Sequence, residues 1–268
     1  MAKKEKTEMS FLDHLEELRW HIIRSFASIF VFAILAFVFK SFVFDVVILG
    51  PSRPDFFTNQ LLCRISEVLN LPVLCINQEQ LKFQNIQMSG QFVMHIWVAF
   101  ITGLVISFPY IFWEFWRFVR PALYENEVKH SRGAIFFASI LFSLGILFAY
   151  YIITPLSVYF LGNYQVSESV ENIINFGSYV STISSIVLAS GVMFELPIFI
   201  YFLSKVGLVT AEFLKKYRRH AIVIVLALAA IITPPDMISQ IMVCLPLIVL
   251  YEAGIVIAKR VERKKAMA

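Results

Sequence analysis

The sequence predicts an all-α membrane protein of six transmembrane helices, short in spans five and six, with the N- and C-termini cytoplasmic. Three observations carry the prediction. The chain of 268 residues is 59% hydrophobic and only 16% charged, with a mean hydropathy of +0.74, whereas soluble domains run near a quarter charged. Its apolar runs match a bilayer, since about 20 helical residues cross about 30 Å of hydrocarbon. Its cations fall on alternate connections: 19 of the 23 Lys and Arg lie on one set, and only Lys40, Arg53, Arg64 and Lys82 on the other. The richer set marks the cytoplasmic side.

The elements follow in order within a single integral domain, 1–268. Residues 1–21 are polar and of mixed charge, with no short apolar core before a small-residue cleavage site, so a cleaved signal peptide is not expected. Within them "SFLDHLEELRWHI" (10–22) reads as an amphipathic helix. Ser10 is placed to cap it, and Phe11, Leu15, Leu18 and Ile22 recur at helical spacing. Asp13, Glu17, His21 and Arg24 share another face. Such a helix lies at the membrane surface and runs into span one.

Spans follow at 22–44, 92–116, 134–160 and 179–203. Pro109, Pro155 and Pro197 sit inside three of them, where neighbouring helices can satisfy the freed carbonyls. Residues 221–232 and 237–257 supply spans five and six, with a "TPPD" turn between them that forbids helix continuation. Twelve apolar residues in span five, and an unbroken run in span six that ends at Tyr251, make both short. Short spans thin the bilayer or hide in protein. A re-entrant pair over 221–251 would leave the same charge pattern; six crossings is the reading adopted.

Residues 45–91 form the one large outer loop, partly apolar and able to place a short helix on the membrane face. Cys63 and Cys75 both lie there, either as a disulfide, which an oxidising compartment permits, or as two buried thiols.

Absences narrow the chemistry. No P-loop, HExxH or GxSxG pattern occurs. The histidines are scattered, and three cysteines make no zinc pattern. Neither an enzyme, a cofactor nor a metal site is expected, and His95 within span two reads as a satisfied or water-facing side chain.

Three stretches remain unexplained by membrane insertion alone. The leader helix carries acids at the surface. "WRFVRPALYENE" (116–127) follows an aromatic belt and places Glu125 and Glu127 beyond Pro121; Glu114, inside the belt, is either one more contact for an arginine or an acid that snorkels to the interface, the second being the reading taken. In "GVMFELPIF" (191–199) Glu195 is an acid within a stretch, 133–204, that holds no Lys, Arg or His. A charge near a helix centre costs about 2.5–3.5 kcal/mol. Ser184, Leu188, Gly191 and Glu195 share a helix face, and a small polar stripe is how one membrane helix receives another.

Taken together, "FLDHLEELR", "WRFVRPALYENE", "GVMFELP" and "ITPPDMISQ", in that order, resemble the TatC family, the core subunit of the twin-arginine protein translocase. The resemblance implies a receptor for signal peptides with consecutive arginines. It also implies single-span TatA- and TatB-type partners, self-association, lipid contact and no nucleic acid. Folded cargo would cross a bacterial inner membrane on the proton-motive force. Glu17, Arg19, Phe118 and Glu127 match the family's signal-peptide positions. Glu195 matches the acid associated with docking a partner helix, and Pro51, Asp236 and Gln240 match other family-pattern positions. His21 departs from the family, standing where a second basic residue often follows "ELR", and the first outer loop is long for it. The alternative is a proton-coupled transporter of a small solute with Glu195 as carrier, disfavoured because no inverted repeat is evident.

Overall fold

The computed structural model describes residues 11–71, 75–77, 81–119, 131–167, 169, 172–232 and 237–266. Ser10, Glu127 and Asp236 lie outside them. The chain is helical almost throughout. Helix α1 (Phe11–Val38) runs unbroken from the surface stretch into the first apolar run. It is followed by a π-helical turn (Phe42–Ile48), a 3-10 turn (Gly50–Ser52) and α2 (Phe57–Leu69), which ends on Asn70 in the left-handed region. Then come α3 (Gly90–Val119) and α4 (Ser131–Phe148). A π-helical turn (Ala149–Ile153) joins α4 to α5 (Thr154–Asn163). Next are α6 (Phe176–Phe194), α7 (Leu196–Val206), α8 (Ala211–Lys216), α9 (Arg218–Ile232) and α10 (Met237–Ala266). Among the described residues one small sheet pairs Phe83–Gln84 in parallel with Ile174–Asn175.

Five helical stretches among the described residues are long and apolar enough to cross a membrane: Leu15–Val38, Gly90–Val119, Ile135–Asn163, Phe176–Val206 and Ser239–Lys265. The last corrects the expectation of a short sixth span. The apolar run stops at Tyr251, but helix propensity does not, and α10 continues through Lys259 and Arg260 to Ala266 with Pro246 inside it. Only α9, 15 residues long, is short, at about 22 Å. Ser157 on α5 donates to Ser239 Oγ near the start of α10 at 3.0 Å, which ties the start of α10 to the third run.

Close approach of backbones sets the packing, as in membranes, where small residues let helices touch. A Cβ added at Gly103 of α3 would lie 2.7 Å from both Ile29 O and Ala33 N of α1. One added at Gly191 of α6 would lie 2.8 Å from Phe142 and Ile146 of α4. The helix received by the small face at Gly191 is therefore α4 of the same chain. On α1 the polarity is turned inside out. Leu15, Ile22, Phe30 and Ile34 are exposed, as suits lipid, while His21 turns towards α3.

The end that carries residues 42–91 is closed by side chains bonded to main chain. Tyr150 and Tyr179 donate to Val47 O at 2.8 Å and Ile48 O at 2.9 Å. Asn59 donates to Arg53 O at 2.7 Å and Asn77 to Pro155 O at 3.2 Å. Pro51 is buried in this knot. Cys63 and Cys75 are joined, with Cα atoms 4.1 Å apart, which holds α2 to the segment that delivers Asn77. Closing a ring over a separation of 12 residues removes unfolded-state entropy worth about 3 kcal/mol. Cys63→Ser is expected to lower thermal stability by an effect of that order. Adding reductant to the parent chain should reproduce the loss and leave the variant unmoved.

Candidate functional site

The candidate site lies where α1 meets the last two turns of α3. Residues 17, 21 and 24 recur at four- and three-residue spacing and so share one face of α1. On α3, Tyr110, Glu114 and Arg117 do the same. The two faces meet at Glu114, whose side chain is 1% exposed. Tyr110 Oη donates to Glu114 Oε1 at 2.9 Å, and His21 Nδ1 contacts Oε2. Arg117 Nη1 lies 3.8 Å from Oε1 and Arg24 Nη1 lies 4.0 Å from Oε2. Arg117 also stacks over the Trp113 ring at 4.9 Å.

Glu114 therefore does not snorkel, contrary to the reading of the sequence. A snorkelling acid keeps its head in water. This one is buried because a histidine, a phenol and two guanidinium groups surround it, and a buried carboxylate persists when paired and hydrogen-bonded. Sequence reasoning missed His21 and Arg24 as its partners because they sit 90 or more residues away on another helix. The signal available was His21 itself, the one departure in the "ELR" motif.

Phe118 lies beside the same cluster, half-buried, its ring edge-on to His21 with centroids 6.2 Å apart. Glu17 is half-buried and lies one turn before His21. Arg19 is exposed, about 200° round α1 from Glu17 at 100° per residue, so these two do not share a face. The structure thus brings the face bearing Glu17 towards Phe118 and turns Arg19 away.

Glu195 stands at the break between α6 and α7. Pro197 cannot donate to the helix ladder, and the Glu195 carbonyl accepts from Ile198 N at 2.9 Å and Phe199 N at 3.1 Å to restart it. The side chain is 4% exposed, and neither carboxylate oxygen has a hydrogen-bond partner among the described residues. At the opposite end Pro51 O accepts from Asn59 at 3.3 Å. Gln240 Nε2 donates to Leu226 O at 3.4 Å, across the α9–α10 pair.

Comparison with known proteins identifies the relatives of this chain. The family model for the Sec-independent protein translocase protein (TatC) matches residues 13–246. The chain is 42% identical over 265 residues to the Sec-independent protein translocase protein TatC of Blattabacterium sp. subsp. Periplaneta americana, covering 98% of this chain and 100% of that one. It is 33% identical over 249 residues to the TatC of Campylobacter jejuni, covering 92% and 93%. A crystal structure of the twin-arginine translocase receptor TatC superposes with a TM-score of 0.69 at 30% identity, over 93% of this chain and 99% of that one. A second, in the detergent DDM, gives 0.70 at the same identity over 90% and 97%. Five membrane-length helices and a family match over nearly the whole chain make this a multi-pass membrane protein, and the chain belongs to the TatC family.

Proposed function

We propose that this chain is the receptor subunit of a twin-arginine translocase in a bacterial inner membrane. Both termini are cytoplasmic and six helices cross, the short α9 included. Glu17 and Glu127 each hold one arginine of a signal peptide, with Phe118 lining the same site and Arg19 meeting the peptide from the other face of α1. Copies of the chain, with TatA- and TatB-type single-span partners, export folded proteins on the proton-motive force. Glu195 receives a polar group from a partner's helix, and Pro51, Asp236 and Gln240 shape the opposite end.

One observation carries the reading: within a chain of the TatC family, the face of α1 that bears Glu17 packs on the end of α3 that bears Phe118. The chemistry supports it. An exposed ion pair contributes only about 0.2–1 kcal/mol, too little to reject a peptide with two lysines. Arginine grips a carboxylate through two parallel bonds and lysine cannot. Bonds to charged groups contribute about 1.5–3 kcal/mol each, so two partly desolvated acids discriminate usefully.

The test is crosslinking of an Arg-Arg signal peptide, and of its Lys-Lys twin, to the receptor in membranes. Glu17→Ala and Glu127→Ala should each weaken Arg-Arg binding about tenfold or more. The preference over Lys-Lys should fall with it. Undiminished, arginine-selective crosslinking in both variants would remove the assignment.

A further inference from the structure

Glu114 and His21 belong to none of the positions assigned above, yet they occupy the joint between them. Glu114 is fully buried on α3, four residues before Phe118, and its carboxylate meets His21 and Tyr110. His21 is 14% exposed in its side chain, touches the Phe118 ring and lies four residues after Glu17. At the far end of the pair His95 of α3 lies 3.1 Å from Phe37 O of α1, and midway the two helices meet backbone to backbone at Gly103. Such a contact limits separation but says little about rotation at the helix end. A directional bond between a ring nitrogen and a carboxylate does limit it.

We propose that Glu114 is a positioning residue for the signal-peptide site: through His21 it fixes the rotation of α1 that presents Glu17 beside Phe118. The inference rests on the receptor reading above. Glu114 itself is not an arginine contact. Its two oxygens are already engaged by Tyr110 and His21, with Arg24 and Arg117 close by, and an incoming guanidinium would have to displace them. The site works through Glu17, and Glu114 determines where Glu17 points.

Rotation of α1 by one residue's worth would swing Glu17 by about 100° and move its carboxylate off the groove. Binding should fall without any loss of a group that touches the peptide. Arginine selectivity should suffer more than total binding, because paired guanidinium bonds depend on geometry more than a point charge does.

The experiment uses the full chain in membranes and a crosslinkable Arg-Arg signal peptide, with binding expressed per folded receptor recovered by size exclusion. Glu114→Gln and His21→Ala are each expected to weaken binding about tenfold, the loss of one charge-assisted bond. The double variant should be no worse than the singles, since both remove one contact. His21→Arg, which places an N–H donor within reach of Glu114, should recover most of the loss. Spin labels at the exposed Leu15 and Phe115 should give one narrow distance distribution in the parent, a broad one in Glu114→Gln and His21→Ala, and a narrow one again in His21→Arg.

Folded Glu114→Gln and His21→Ala that bind within twofold of the parent overturn the inference, and so does His21→Arg failing as badly as His21→Ala. Should Glu114→Gln not fold, the His21 pair decides. Glu17→Ala separates the two levels. Loss there with normal Glu114 and His21 variants leaves the receptor and removes the positioning role; normal binding in Glu17→Ala and Glu127→Ala removes the receptor site itself.

Discussion

Glu195→Leu is expected to stabilise the isolated chain and to abolish protein export. The acid is 4% exposed and both its oxygens lack a hydrogen-bond partner among the described residues. A buried polar group left unsatisfied costs about 1–3 kcal/mol, and leucine fills a similar space without that penalty. The purified variant should therefore unfold at a higher temperature than its parent. Export should fail because the group that a partner's helix would satisfy is gone. Strain or unpaired polarity retained inside a protein is often tied to its work. Two measurements check this: thermal unfolding in detergent, and secretion of a reporter carrying an Arg-Arg signal. A less stable variant would mean the carboxylate is already well bonded within the chain, and unchanged secretion would mean no partner needs it.

The largest loss of folded protein should come from Gly103→Leu. Its Cβ would fall 2.7 Å from two backbone atoms of α1, Ile29 O and Ala33 N, with Ala33 Cα at 3.0 Å. Backbone cannot rotate aside as a side-chain tip can, so the helices must separate. Overpacking a close-packed site typically costs about 1–3 kcal/mol, and a backbone clash belongs at or above the top of that range. Separation would also pull His21 from Glu114, so the surviving protein should bind signal peptide poorly. Gly191→Ala is the milder comparison, because its nearest neighbours are the side-chain tips of Ile146 and Phe142. Folded yield in membranes and thermal unfolding of both variants check the ranking. Equal behaviour would show that α1 and α3 have slack at this level.

Much of the architecture was written in one dimension. Apolar length alone located the long runs, because a bilayer imposes a fixed thickness on any helix that crosses it. The four quoted motifs pointed to the family that the comparisons support, and the pair of cysteines in the large loop was visible as a candidate bridge. The candidate site was half legible. Glu17 and Phe118 could be picked out by motif, but nothing in either stretch said that His21 would sit between them. The small stripe through Gly191 was recognised as a helix-receiving face, and the helix it receives turned out to be α4 of the same chain.

What the sequence determined by itself was which segments are long and apolar enough to cross a membrane, the family, and the residue types available at each level. Hydrophobic transfer depends on composition and length, and these are properties of a local stretch. Only the tertiary structure decided which faces meet: that Glu114 is enclosed and not at the water's edge, that Glu195 is buried without a hydrogen bond from any described residue, that Arg19 turns away from Glu17. Those outcomes depend on the rotation and register of helices set by contacts between residues far apart in the chain, and no periodicity within one helix carries that information.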